Sequence, residues 1–95
     1  MIATHTFNPS VDITYMIDPI RIDTVNRVHK KIKNPGGKGI NVTKVLHQLG
    51  ATYCAYGYLG GPNGQWLAQK LQERGETTAF TPIENETRQS LAIND

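Results

Sequence analysis

Ninety-five residues carrying a net charge of +2, with 38% hydrophobic and 19% charged side chains, fit one small domain and not two. That balance excludes a disordered or fibrous chain, and it is too weakly basic to specify nucleic acid as a partner. The single cysteine, Cys54, excludes an internal disulfide, stands in no metal-ligand spacing and is expected to be a small buried hydrophobe.

Residues 2–7 alternate apolar and polar β-formers until Asn8-Pro9-Ser10 breaks the run, which predicts a first strand. Asp12 lies just past it. In open α/β sheets the ligand crevice lies outside the carboxyl ends of the strands, so this carboxylate is a site candidate, although it also fits a turn or cap. Residues 13–17 and 26–32 read as two short strands with mixed faces, suited to a small exposed sheet more than to a parallel core. The cluster Lys30-Lys31-x-Lys33 lies in that region without interleaved aromatics and is expected on a solvated strand or loop face, with a phosphate-facing role as the other reading.

The segment Asn34-Pro35-Gly36-Gly37-Lys38-Gly39-Ile40-Asn41 follows as a glycine loop leading into a helix. Val42, Val45, Leu46 and Leu49 recur at helical spacing, and Gly50 sits where a left-handed cap belongs. Free amides at a helix N-terminus suit oxygen-rich or anionic ligands. Residues 52–59 form a nearly continuous apolar and aromatic run, expected as a strand buried on both faces and paired in a right-handed parallel βαβ unit. A second helix over about 64–74 places Leu67, Ala68 and Leu71 on one face, with Trp66 partly buried beside it and a stop before Gly75. Strands are expected over 77–83 and from residue 88. The chain ends inside that last run without a cap or turn, which predicts a piece of a longer protein. The start lacks a charged region followed by an apolar run, and no stretch reaches membrane length, so a cytoplasmic protein with no membrane contact is expected.

The glycine loop fails both familiar phosphate motifs. Lys38 is followed by Gly39 and Ile40, so the Ser/Thr of a P-loop is missing. A dinucleotide fingerprint requires a small residue where Val42 stands and a strand directly before the loop, and the polar Lys-Asn-Pro lead-in argues against that strand. What remains is a carboxamide, Asn41, in the first helical turn and a carboxylate, Asp12. The first donates and accepts, the second accepts from several hydroxyls, and together they complement a polyol. Helix capping is the alternative role for Asn41.

Phe7-Asn8-Pro9-Ser10-Val11-Asp12, Pro35-Gly36-Gly37-Lys38-Gly39-Ile40-Asn41-Val42, Gly60-Gly61 and Glu86-Thr87-Arg88 together resemble, in order and spacing, the N-terminal third of the ribokinase-like (PfkB) carbohydrate kinases. Ile22-Asp23-Thr24-Val25-Asn26-Arg27-Val28 and Thr87-Arg88-Gln89 look like the phosphosugar branch of that family. The resemblance implies a three-layer α/β/α ribokinase-like core, of which residues 1–95 are the N-terminal part, with a small β-sheet lid built from about 13–32 and about 77–95. It implies an ATP- and Mg²⁺-dependent kinase that converts a ketohexose phosphate (tagatose 6-phosphate, fructose 1-phosphate or fructose 6-phosphate) to the bisphosphate. It further implies that Asp12 and Asn41 hold sugar hydroxyls, that Gly37 and Gly39 close on the sugar, and that Arg27 and Arg88 reach the substrate's phosphate. Lys38 either approaches the ligand or faces solvent. The family's downstream Gly-Ala-Gly-Asp-like stretch is absent, so the resemblance puts the catalytic base and the nucleotide site outside this chain, and no metal ligand is expected within it. The other function weighed is a non-catalytic sugar-phosphate-binding module from a truncated gene. A homodimer through the lid sheet is the assembly that the resemblance leaves open.

Overall fold

The computed structural model describes residues 1–17, 28 and 30–94. Two three-stranded sheets and two helices account for most of them, in the order β1 (Ile2–Thr6), β2 (Ser10–Met16), β3 (Lys30–Gly36), α1 (Lys38–Gln48), β4 (Tyr53–Leu59), α2 (Gly61–Glu73), β5 (Thr78–Pro82) and β6 (Arg88–Asn94). The first sheet is parallel, ordered β1-β4-β5, and the second is ordered β3-β2-β6 with β2 central. In the second sheet β2 runs antiparallel to β3 and parallel to β6. This is the mixed α/β class anticipated above. Its layers within this chain are the parallel sheet, the helices on one face of it, and the second sheet.

The parallel sheet buries only one face. Thr4, Thr6, Tyr53, Ala55 and Leu59 are buried, whereas the alternating residues of β4 are half-buried and His5 is exposed. Both helices lie on the buried side. Thr43 of α1, fully buried, exchanges a 2.7 Å hydroxyl contact with Thr4 and donates at 2.9 Å to the Gly39 carbonyl, so its polar atom is satisfied against the sheet. Leu67 and Leu71 of α2, both at 0% exposure, join Leu59, Ile40, Val11 and Ile13 in the core cluster, so strand β2 of the second sheet shares one core with the first. The expectation of a strand buried on both faces is therefore corrected for β4. Its other face carries Cys54, Tyr56 and Tyr58 beside His5 and Phe7, with the His5, Phe7 and Tyr58 rings 4.3 to 6.2 Å apart. Cys54 is half-buried on that face, not enclosed. The Tyr56 phenol there is held above its ordinary pKa, first by its side-chain hydrogen bond with Cys54, then by repulsion between its phenolate and the Cys54 thiolate, and it stays protonated further into the alkaline range.

Other expectations shift for identifiable reasons. The stripe Val42, Val45 and Leu49 points outward, 52%, 52% and 75% exposed, while Ile40 and Thr43 face the sheet. Helical spacing identified an apolar stripe but not which side of the helix meets the sheet. Helix α2 begins at Gly61, earlier than residue 64, because Pro62 stands in its first turn, where a missing N–H costs nothing. Thr78–Pro82, grouped above with the lid strands, instead pairs with β4, and only β6 joins the second sheet. Strand β3 runs through Pro35 to Gly36, so the glycine loop does follow directly on a strand. Proline is tolerated there because β3 is an edge. Gly50 and Gly75 end the two helices with φ of 73° and 77°, as the sequence predicts.

Leu71→Ala is expected to cost about 2–5 kcal/mol in urea unfolding, the range for truncating an enclosed leucine, whereas Val45→Ala on the outward stripe is expected to cost under about 1 kcal/mol. Equal losses would place the stripe in the core.

Candidate functional site

The backbone passes between the two sheets three times: at residues 7–9 from β1 to β2, at Gly36-Gly37 from β3 to α1, and at residues 83–87 from β5 to β6. The motifs singled out in the sequence fall on these crossings. At the second, Gly37 has φ of 120°, and a Cβ there would press on Thr6 Cγ2 at 3.0 Å, so only glycine turns the chain from β3 into α1 without strain. One residue earlier, the absent side chain of Gly36 leaves the space that the Asp12 carboxylate fills.

Asp12 lies within β2, paired with Asn34 on one side and Ser90 on the other, which removes the turn and cap readings. Ser10, 2% exposed, donates its hydroxyl to Asp12 Oδ1 at 2.7 Å and holds the carboxylate in place. Asn41 sits in the first turn of α1, its backbone N–H donating to the Gly37 carbonyl at 3.0 Å. No side chain caps α1, and among the described residues nothing occupies the Asn41 carboxamide, so it is not a capping group.

The third crossing is fixed by a clasp on the N-terminus of α2. The Gly60 N–H donates to Thr87 Oγ1 at 2.9 Å, the Asn63 N–H donates to Glu86 Oε1 at 2.6 Å, and the Asn63 carboxamide donates to the Thr87 carbonyl at 2.8 Å. Residues from a distant segment thus satisfy amides that a helix start leaves open, and the Glu86 charge meets the positive end of the helix. The clasp delivers Arg88, whose exposed guanidinium donates from Nη2 to the Asn8 carbonyl at 3.3 Å and so ties the third crossing to the first.

Two concavities meet at the glycine loop. One, of about 350 Å³, brings Asp12 and Asn41 together with Thr14, Asn34, Lys44 and Arg74 over a floor of Pro35 and Ile40. The other, of about 270 Å³, gathers Gly37, Lys38, Gly39 and Arg88 with His5, Thr6, Phe7 and Asn8. The structure therefore divides the expected site residues into a group suited to hydroxyls and a group of two cations beside helix-start amides, suited to an anion. Lys38, an exposed residue, lines the second pocket. Arg27 lies outside the described residues. Lys44 and Arg74 went unnoticed in the sequence: Lys44 carried a usable signal, three positions after Asn41 on one helix face, but Arg74 is distant in sequence and carried none. A larger, mostly apolar hollow of about 360 Å³ between α2 and β5 collects no charged side chain.

Fold and pockets together define a mixed α/β protein with polar and cationic pockets along the seam between its two sheets. The chain belongs to the pfkB family of carbohydrate kinases, whose family model matches residues 5–95. It is 47% identical over 93 residues to the tagatose-6-phosphate kinase of Staphylococcus epidermidis, an alignment covering 98% of this chain and 30% of that protein. Crystal structures of phosphofructokinase-2 from Escherichia coli superpose closely. The complex with fructose-6-phosphate matches with a TM-score of 0.88 at 30% identity, over 97% of this chain and 30% of the other. The tetrameric inhibited form gives 0.87 at the same identity and the same coverage of each chain. The chain thus spans about 30% of the length of the relatives it matches. No helix among the described residues is long and apolar enough to cross a membrane.

Thr87→Val is expected to cost about 1 kcal/mol, the worth of a helix-cap hydrogen bond, and to lower the protection of the Gly60 amide in hydrogen exchange. Unchanged protection at Gly60 would show that the clasp does not hold α2.

Proposed function

We propose that this chain forms the acceptor-sugar side of a kinase that phosphorylates a ketohexose phosphate to the bisphosphate. The observation that carries this reading is the convergence of Asp12 and Asn41 in one pocket, joined across the glycine loop to a second pocket holding Lys38 and Arg88. Asp12, an acceptor held by Ser10, and Asn41, both donor and acceptor, take the sugar hydroxyls. Gly37 and Gly39 bring bare backbone against the sugar, and Arg88 with Lys38 and the start of α1 takes the phosphate already on the substrate. Arg27 is assigned to the same phosphate on the strength of the family resemblance. Tagatose 6-phosphate is the first substrate to test, since the 47% identical relative is named for it. Fructose 6-phosphate, bound in a superposing structure, is the second.

ATP supplies the phosphoryl group in this reading and Mg²⁺ neutralises its charge. The described residues offer no set that fits either one. The glycine loop lacks the P-loop hydroxyl, and among the described residues no three His, Cys, Asp or Glu side chains gather to hold a metal. The base that deprotonates the acceptor hydroxyl is likewise assigned to the remainder of the kinase. What this chain contributes is positioning: it holds the acceptor in one orientation and thereby lowers the barrier entropically.

In the kinase carrying this chain, Arg88→Ala is expected to lower kcat/KM for the phosphosugar by about 1.5–3 kcal/mol equivalent, the range of a hydrogen bond to a charged group. An unchanged value removes Arg88 from the site. Asp12→Asn is expected to weaken sugar affinity while the circular dichroism spectrum stays the same. Loss of folded structure instead would make Asp12 a structural residue.

A further inference from the structure

The pairing of the second sheet places a further polar side chain beside the carboxylate that the proposed chemistry uses. Val11 and Ile13 of β2 enter the core, so Ser10, Asp12 and Thr14 project from the opposite face of the sheet. Ser10 is level with Arg88 and Asp12 with Ser90, so both β6 residues stand on that face as well. They lie two residues apart along one strand, which is about 7 Å. The Asp12 carboxylate leans toward β3, into the space that Gly36 leaves, and is held there by Ser10. On its β6 side the neighbour is the short, exposed Ser90, whose hydroxyl has no hydrogen-bond partner among the described residues. Gln89, which projects the other way, is by contrast engaged with Asn63 at 3.2 Å. Exposed serines are ordinary on a half-solvated sheet, but this one stands between the cation assigned to the substrate's phosphate and the carboxylate assigned to its hydroxyls.

Tagatose 6-phosphate and fructose 6-phosphate differ only in configuration at C4, two carbons from the phosphorylated C6. A phosphate on C6 and a hydroxyl on C4 are separated by a span of the same order as one strand repeat, the spacing of Arg88 and Ser90. We propose that Ser90 reads the C4 hydroxyl and sets which of the two sugar phosphates is preferred. In the matching configuration that hydroxyl donates to Asp12 and accepts from Ser90. Inverted, it gives up the bond to Ser90, because so short a side chain cannot follow it. C1, whose hydroxyl receives the new phosphoryl group, then lies at the end of the sugar away from Arg88, toward the part of the kinase assigned the base and the nucleotide. This inference rests on the acceptor-sugar reading above and adds to it the residue that selects the substrate.

The kinase carrying this chain, assayed with ATP on each sugar phosphate, tests it. The weaker substrate is also measured as a competitive inhibitor of the stronger, which gives the ratio even without turnover. The two kcat/KM values are expected to differ, and Ser90→Ala is expected to move their ratio about fivefold toward unity, the worth of one net hydrogen bond. Ser90→Thr, which keeps the hydroxyl on a residue suited to strands, is expected to hold the original ratio within about twofold. Arg88→Ala is expected to lower both values alike, and Gln89→Ala, on the opposite face, to leave the ratio as it was. A ratio of unity in the unmodified kinase, a ratio that Ser90→Ala leaves within about twofold, an equal shift in Gln89→Ala, or use of fructose 1-phosphate alone would overturn the role of Ser90 and leave the acceptor-sugar reading intact. A kinase that phosphorylates none of the three sugar phosphates would overturn that reading, and the role of Ser90 with it.

Discussion

The close approach of the Asp12 carboxylate to the bare backbone of Gly36 is the constraint on which the seam depends. It requires β2 and β3 to be paired in the register Ser10 with Gly36 and Asp12 with Asn34, and it requires glycine where the strand ends. With the strand ended there, the positive φ of Gly37 starts α1 at once, and Asn41 arrives one turn later in the pocket that already holds Asp12. A side chain at position 36 would displace the carboxylate; a β-carbon at 37 would strain the turn. Two adjacent glycines thus set the relation between a strand of one sheet and a helix packed on the other.

The remaining crossings lean on that one. Asn8 is bound by Arg88 through its carbonyl, and Arg88 is delivered by the hydrogen bonds that Glu86 and Thr87 make to the start of α2. The helix start that lacks its own capping side chain is completed by residues from a later segment. One set of contacts therefore both holds the start of α2 and positions Arg88, so Gly60-Gly61 and Glu86-Thr87-Arg88 form a single structural unit despite their separation in sequence.

Local patterns read well from the sequence where a physical rule acts locally. Glycine caps at Gly50 and Gly75, the break at Asn8-Pro9-Ser10 and the strand at Tyr53–Leu59 all follow from backbone preferences, while Asp12 and Asn41, singled out by donor and acceptor chemistry, line one pocket. What did not read was tertiary. Nothing in the spacing of Val42, Val45 and Leu49 says that Ile40 and Thr43 would face the sheet instead. Nothing local to Thr78–Pro82 assigns it to the parallel sheet, because that is decided by its pairing with β4. Pro35 argued against a strand only on the assumption that the strand would be interior, and β3 is an edge. Arg74 became visible as a site residue only when α2 was placed beside β2 and β3.

The pairing of β2 with β6 has a consequence for how the molecule forms. Ser10 lies opposite Arg88, and the hydrogen bond from Arg88 to Asn8 joins residues 80 positions apart. Pairings of such sequence separation raise contact order, which slows folding, although the loop-closure cost itself grows only slowly with length. The β2–β3 and β1–β4 pairings span far less chain. Among the described strands, the pocket that Arg88 lines is thus closed by the pairing of greatest sequence separation, while Asp12 and Asn41 lie on elements joined through shorter ones.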